Sequence, residues 1–239
     1  MKRFLMFALL LGFAATTHTA DALAQQNKKK QEELKKGLQA LNDFVGNWNG
    51  DGKSAPTKPK KESWAEIMEW GWRFKGDDVW MTWKLKDSKI FKSAELRYVP
   101  DKKNFQLTAI DAKDQKLVYD GKIEKDYLTL DRIDPETKET QRLKINVAGD
   151  GVRLNLVVAH ANEGVKLFTP DYQVGYSMEG ASLGARAKKT ECIVSGGLGT
   201  QAIAYKGQTY YVCCSGCRDA FNENPEFYVK QWEAKKGKK

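Results

Sequence analysis

Four cysteines near the C-terminus are the residues of this chain best suited to chemistry. Cys213, Cys214 and Cys217 lie within the stretch YKGQTYYVCCSGCRDAF, and Cys192 precedes them. Twenty residues separate Cys192 from Cys213, and three separate Cys213 from Cys217. Such spacings allow the end of a strand and the first turn of a helix to converge on one ion, as they do in structural thiolate sites.

Three interpretations of these thiols are open from spacing alone. As metal ligands, soft thiolates favour zinc or Cu(I) over hard cations. As disulfides, they would follow the usual rule for an even number of cysteines in an exported protein. As a redox pair, Cys214-Ser-Gly-Cys217 is a C-x-x-C motif at a helix start, but the predicted order of loop, hairpin and helix lacks the βαβ context of that motif. We favour the metal interpretation, because a unit of roughly 50 residues needs a cross-link to be stable and the cysteine spacing suits a single ion.

The neighbouring thiols cannot contribute equally to one site. Successive residues of a strand point to opposite faces, so Cys213 and Cys214 can aim at one ion only if the strand breaks between them. We therefore expect Cys192, Cys213 and Cys217 to form the core set. Cys214 is then either the fourth ligand or a free thiol beside the site. Because helix N-termini carry partial positive charge, we also expect Cys217 to ionise more readily than an ordinary thiol.

The elements that position these thiols can be predicted from turn and cap residues. In chain order they are a glycine-rich loop ending at Gly199, a hairpin turned by Lys206-Gly207, a helix capped by Ser215, and a second helix capped by Asn224 with Pro225 at its first position.

The pattern Cys-x20-Cys-x3-Cys, with YKGQTYYVCC and GCRDAFNENPEFYV around it, is similar to the YHS/TRASH metal-binding domains over about residues 190–230. The resemblance implies a treble-clef-like unit of hairpin and helix that binds transition metals such as copper and zinc. It also implies that Cys192, Cys213 and Cys217 are ligands. The first loop departs from the family's usual Cys-Pro-x-Cys or Val-Cys-Gly-Met, since it reads Cys192-Ile-Val-Ser195. A site with four thiols would therefore depend on Cys214.

A mainly β region precedes the cysteines. A helix with one apolar face is predicted over residues 31–45, and Gly46 is placed to end it. Eight to ten short strands follow in hairpin order, without crossover helices, which favours an up-and-down β-barrel or a strongly curved antiparallel sheet. The opening FVGNWNGDG resembles the first strand of calycin, or lipocalin-like, barrels. In those barrels the tryptophan plugs the base, and the barrel could hold an apolar ligand.

The barrel region shows no recognisable catalytic set. The alternation of its tryptophan-rich strands predicts a core, with Trp80 as the exposed exception. His160 is interpreted as a structural or solvent-facing histidine rather than as a ligand for haem or another metal. We therefore expect that the protein is not an enzyme.

The N-terminus has the features of a secretory signal peptide. Lys2 and Arg3 precede an apolar run, and Ala22-Leu23-Ala24 supplies a cleavage site after Ala24. Removing residues 1–24, with two basic and one acidic residue, changes the formal charge from +9 to +8 (+9 − 2 + 1). The lysine-rich stretches indicate a solvated surface rather than a nucleic-acid partner, and no segment reaches the length of a membrane span.

These observations predict six segments. They are a signal peptide (1–24), a helical segment (25–45), a β-barrel-like domain (46–180), a linker (181–189), a YHS/TRASH-like cysteine domain (190–232) and a basic tail (233–239). The predicted function is that of a secreted or periplasmic, non-catalytic protein that binds zinc or copper through Cys192, Cys213, Cys217 and Cys214. Its role would be heavy-metal trafficking, sensing or sequestration.

Overall fold

The computed structural model describes residues 15–180 and 190–237, with side chains from residue 25 onward. Most of the predicted signal peptide (1–14) and the predicted linker (181–189) lie outside the described residues. The first helix runs through Ala24. Cleavage after Ala24 and the division of the chain into domains stay predictions. Among the described helices, none combines the length and apolar character needed to cross a bilayer.

Three α-helices and twelve strands make up the described chain. They are α1 (Ala15–Leu38), β1 (Gly46–Ser54), β2 (Ser63–Lys75), β3 (Asp78–Lys86), β4 (Phe91–Val99), β5 (Asn104–Asp111), β6 (Lys116–Glu124), β7 (Tyr127–Ile133), β8 (Thr140–Ala148), β9 (Arg153–Ala161), β10 (Thr169–Met178), β11 (Gln201–Tyr205), β12 (Gln208–Val212), α2 (Ser215–Glu223) and α3 (Pro225–Lys236), with short 3₁₀ helices at Gln39–Phe44 and Pro100–Lys102.

The first ten strands form a closed antiparallel barrel. Each strand pairs with its neighbours in the chain, and β1 closes the barrel by pairing with both β2 and β10. In the registers that close it, Trp48 lies opposite Met178 on one side and Met68 on the other. The prediction of a mainly β fold with an up-and-down barrel and a small α+β unit is confirmed.

Aromatic side chains fill the barrel interior. The predicted alternation is confirmed, since Met68, Trp70 and Trp72 of β2 are buried together with Met81 and Trp83 of β3. The Trp70 and Trp83 ring centroids are 4.7 Å apart. Fully burying a large apolar side chain stabilises the fold by about 1.5–3 kcal/mol, so these residues anchor the closed end of the barrel.

The N-terminal helix and the 3₁₀ helix close one end of the barrel. Leu38, Leu41 and Phe44 are buried, as the helical periodicity predicts. Trp48 is fully buried in β1, and its indole nitrogen donates a hydrogen bond to the Phe44 carbonyl oxygen over 2.8 Å. This contact joins the 3₁₀ helix to the first strand and places the tryptophan at the base, as the calycin resemblance implies.

The C-terminal unit consists of the β11–β12 hairpin and the helices α2 and α3. Lys206 and Gly207 both have positive φ, 47° and 77°, in the tight turn of the hairpin. The buried ring of Phe221 contacts Tyr205, Tyr210 and Tyr228, with centroids 5.9–6.4 Å away. Helix α2 packs directly against β2 of the barrel, so the C-terminal unit contacts the closed end of the barrel.

Candidate metal centre

Four cysteine side chains lie at the junction of loop, hairpin and helix. The sulfur atoms of Cys192, Cys213 and Cys217 lie within 4.8 Å of one another. All three residues are buried, and Cys217 is fully so. The structure thus brings together the three cysteines that the spacing predicted as a core set. Their role as metal ligands stays a prediction.

Backbone hydrogen bonds in a tight loop hold Cys192 in place. The Cys192 amide donates to the Gly197 carbonyl oxygen over 2.7 Å, and the Gly196 amide donates to the Cys192 carbonyl oxygen over 2.9 Å. The next residue, Ile193, donates to the Tyr211 carbonyl oxygen over 2.9 Å. A hydrogen bond therefore joins the loop to β12, the strand that leads to Cys213 and Cys214.

The other thiols lie where β12 ends and α2 begins. The strand stops at Val212, and Cys214 has extended backbone angles (φ −159°, ψ 173°) as the residue that precedes the helix. This break allows the Cys213 sulfur to approach that of Cys217 to 3.4 Å and that of Cys214 to 3.8 Å. Cys214 lies outside the close set of three and faces the barrel: a methyl group placed on Gly71 would be 3.7 Å from its sulfur.

All four cysteines are free thiols in this structure. The separations of the Cys213 sulfur from those of Cys214 and Cys217, 3.8 Å and 3.4 Å, are far longer than the roughly 2.05 Å of a disulfide. The two-disulfide alternative therefore does not describe this arrangement. Thiolates bound to one tetrahedral ion at about 2.3 Å would be about 3.8 Å apart. The donor set therefore fits a soft metal ion, which Cys192, Cys213 and Cys217 would hold.

The thiols differ in how readily they ionise. Hydrogen bonds from the Cys213 and Cys217 thiols lower the pKa of Cys192, and those same two thiols lower the pKa of Cys214. Burial, followed by the neighbouring thiols, raises the pKa of Cys217 well above its ordinary value. The prediction that Cys217 ionises readily is wrong, because desolvation outweighs the helix N-terminus. A buried Cys217 with a raised pKa also makes a poor member of a redox pair.

Several contacts of this centre were not foreseen from the sequence. Ser195 is fully buried, and its hydroxyl lies 3.4 Å from the Cys213 sulfur. Its carbonyl oxygen accepts hydrogen bonds from Gln39 over 3.1 Å and from Asn42 over 3.3 Å. The position of Ser195, three residues after Cys192, could have indicated that it lies near the thiols. No local signal could have indicated Gln39 and Asn42, which are more than 150 residues from Ser195 in sequence.

The barrel also contributes Trp72 and Arg73 to the surroundings of the site. The Trp72 indole donates to the Asn42 side-chain oxygen over 3.2 Å, and an Arg73 guanidinium nitrogen donates to the Trp72 carbonyl oxygen over 2.8 Å. A methyl group on Gly216 would lie 3.0 Å from that guanidinium nitrogen. Arg73, which also pairs with Glu69 over 3.8 Å, therefore lies beside the N-terminus of α2.

The helix caps agree only in part with prediction. Ser215 is the first residue of α2, and Cys214 takes the capping position without a side-chain hydrogen bond, so the predicted Ser215 cap is wrong. The break that brings Cys214 near the other thiols moves the helix start by one residue. Asn224 caps α3 as predicted, since its side chain accepts a hydrogen bond from the Phe227 amide over 3.3 Å.

His160 lies in the barrel, in a different site from the thiols. Its Nδ1 atom is 2.8 Å from an Asp171 carboxylate oxygen, and both residues line a concavity of about 410 Å³ near the ends of β9 and β10. Asp171 also pairs with Lys58. The histidine is therefore part of a polar network with Asp171 and Lys58.

Comparison with known proteins identifies part of the chain. The family model of the YHS domain matches residues 200–232, a stretch that contains Cys213, Cys214 and Cys217 and excludes Cys192. The search of curated proteins finds no significant match. Two solved structures resemble the barrel. The S-type phycobiliprotein lyase CPES from Guillardia theta is 11% identical with a TM-score of 0.41, and covers 59% of this chain and 92% of its own. Rv2717c from M. tuberculosis is 16% identical with a TM-score of 0.39, and the match covers 60% of this chain and 97% of Rv2717c.

The prediction that the protein is not an enzyme is corrected by this comparison. One of the similar structures is titled a lyase. The predicted resemblance of the cysteine segment is confirmed. This chain carries a YHS domain at residues 200–232, which follows a closed ten-stranded barrel.

Proposed function

We propose that this protein binds a zinc or copper ion in its C-terminal unit, through the sulfur atoms of Cys192, Cys213 and Cys217. The observation that carries the proposal is the convergence of these three buried sulfurs within 4.8 Å, without a disulfide. A YHS domain spanning two of these cysteines supports it.

Electrostatics explain why such a cluster needs a cation. Metal binding requires deprotonated thiols, and three thiolates at these separations repel one another strongly in a buried site. The α2 N-terminus offsets part of that negative charge. A bound ion would neutralise more of it and would cross-link the loop, the hairpin and the helix.

The small core of the C-terminal unit gives the ion a structural role as well. Its apolar centre is Phe221 with a few surrounding tyrosines, and a core of this size rarely stabilises a unit alone. Structural zinc contributes about 10–16 kcal/mol of binding free energy in small metal-dependent domains at neutral pH. We infer that the metal-loaded unit is far more stable than the metal-free one.

The proposed setting is the periplasm or the extracellular space, and the proposed role is trafficking, sensing or sequestration of the ion. The features of residues 1–24 support export. Expression of the full chain followed by fractionation and N-terminal sequencing tests this part. Recovery of uncleaved protein in the cytoplasm alone would contradict it.

Metal content of purified variants tests the binding proposal. Protein purified under reducing conditions should carry about one zinc or copper ion per chain, as measured by elemental analysis. Cys192→Ser, Cys213→Ser and Cys217→Ser should each lose the ion. Cys214→Ser is the matched control and should keep it, because the Cys214 sulfur lies outside the close set. Folded wild-type protein that takes up neither ion would refute the proposal.

A further inference from the structure

A hydroxyl oxygen lies beside the three sulfurs of the thiol cluster. The Ser195 hydroxyl oxygen is 3.4 Å from the Cys213 sulfur, and the Ser195 amide donates to the Cys192 sulfur over 3.4 Å. For comparison, an oxygen and a sulfur bound to one tetrahedral zinc ion would be about 3.5 Å apart. The Ser195 side chain is therefore as close to the cluster as a ligand would be.

The position of Ser195 is fixed from several sides. Gly197 donates its amide to the Ser195 hydroxyl oxygen over 3.3 Å. The Ser195 carbonyl oxygen accepts from Gln39 and Asn42 of the barrel-closing 3₁₀ helix. Because Ser195 is also fully buried, solvent does not compete for its hydroxyl group.

The fourth thiol has a different environment. Cys214 lies at the start of α2, with its side chain against Gly71 of the barrel. Its sulfur lies 3.8 Å from that of Cys213 and also hydrogen-bonds with Cys217, but it does not belong to the set of three within 4.8 Å. Two groups therefore lie beside the close set of three sulfurs: the Ser195 hydroxyl and the Cys214 thiol, which faces the barrel.

We propose that Ser195 determines the metal preference of this site, by withholding the fourth thiolate that zinc needs while leaving the three that Cu(I) needs. This inference rests on the proposed function. Structural zinc is almost always bound by four strong ligands, and a neutral hydroxyl is a weak one. Cu(I) is softer and is well satisfied by thiolates alone. The additional negative charge of a Cu(I) site is opposed by the N-terminus of α2, where Cys217 lies in the first turn.

The decisive variant is Ser195→Cys in the full chain, titrated anaerobically with Zn²⁺ and with Cu(I) in competition with a chelator. We expect the zinc affinity to rise by at least roughly 10- to 100-fold, the range by which changes of outer-shell partners already alter metal affinity. The Cu(I) affinity should change much less. With Co²⁺ as a probe, the sulfur-to-metal charge-transfer band should gain about one third in intensity, as the number of thiolates rises from three to four.

Two further variants complete the design. Cys214→Ser should leave both affinities and the Co²⁺ spectrum unchanged. Ser195→Ala should keep the Cu(I) affinity within about tenfold, and it provides the test if Ser195→Cys does not fold. The proposal is overturned if wild-type protein shows four thiolates on Co²⁺ and loses one in Cys214→Ser, or if Ser195→Cys raises both affinities equally. It is also overturned if Ser195→Ala abolishes Cu(I) binding. Failure of folded wild-type protein to bind either ion would refute the proposed function itself.

Discussion

At the scale of single residues, burial determines how polar side chains behave in the barrel as well as in the cysteine cluster. Glu66 is only 3% exposed. Its carboxylate accepts hydrogen bonds from the Trp64 indole over 2.6 Å and from the Tyr176 hydroxyl. Since buried polar groups are costly unless they are hydrogen-bonded, these three side chains depend on one another.

Replacing Glu66 should therefore destabilise the barrel. Glu66→Ala leaves the Tyr176 hydroxyl and the Trp64 indole without their acceptor, and we expect a loss of about 1–3 kcal/mol in the free energy of unfolding. Urea denaturation followed by circular dichroism measures it. Glu124→Ala, which removes an exposed ion pair with Lys122, is the control and should change stability by less than about 0.5 kcal/mol. Equal losses in the two variants would contradict this account.

We expect the stability of the barrel to fall at alkaline pH because of Tyr119. Burial raises the pKa of Tyr119 to about 12, against about 10 in an unfolded chain. The folded state therefore keeps a proton that the unfolded state loses, and this contribution to stability is present below pH 10 and is lost as pH rises from 10 to 12. Chemical denaturation at a series of pH values should show a shallower decline in Tyr119→Phe. An unchanged slope would show that Tyr119 ionises normally in the folded state.

At the scale of elements, the contact between α2 and β2 positions the thiols. Gly216 lies in the first turn of α2, and a methyl group there would be 1.8 Å from the Trp72 carbonyl oxygen. On the other side of the contact, a methyl group on Gly71 would meet Cys214 at an ordinary distance of 3.6 Å. The close approach of helix and strand therefore requires glycine at one of these two positions only.

This asymmetry provides a matched pair of variants. Gly216→Ala should push α2 away from β2, with a loss of about 1–3 kcal/mol in stability and faster reaction of the cysteines with a thiol reagent. Gly71→Ala should leave thiol reactivity close to that of wild type. Thermal unfolding and the rate of thiol modification measure both effects. If Gly216→Ala behaves like Gly71→Ala, the helix does not sit against the barrel as described.

At the scale of the whole molecule, the proposed ion would stabilise the C-terminal unit without being needed by most of the barrel. The barrel has its own closed ladder of hydrogen bonds, and its aromatic core continues into the buried residues of the C-terminal unit, among them Cys217 and Phe221. The contacts between the two parts are concentrated at the closed end, where Gln39 and Asn42 bind the Ser195 carbonyl oxygen.

Removal of the ion should therefore have a local effect. A ligand at 100 times its dissociation constant stabilises the folded state by about 2.7 kcal/mol, and chelation removes that contribution. Hydrogen exchange should accelerate in β11, β12 and the loop around Cys192, while β5 to β8 stay protected. Lowering the pH should release the ion as well, because protons compete for the thiolates. Uniform acceleration across the barrel would contradict this division of stability.

Local sequence patterns were enough to predict the elements and the candidate ligands. Alternating apolar residues predicted the strands around Trp70 and Trp83, because the period of two follows from strand geometry. The turn at Lys206-Gly207 and the cap at Asn224 followed from local backbone preferences, which depend on a few neighbouring residues. The grouping of Cys192, Cys213 and Cys217 followed from spacing, since a hairpin returns the chain to its starting point.

The surroundings of those thiols depend on tertiary contacts that no local pattern predicts. The raised pKa of Cys217 depends on burial by residues distant in sequence, and it opposes the local effect of the helix. The orientation of Cys214 toward Gly71, and the clamp of Gln39 and Asn42 on Ser195, join segments about 140 to 155 residues apart. Spacing can bring ligands to one place, but solvation and charge at that place are set by whichever elements pack around it.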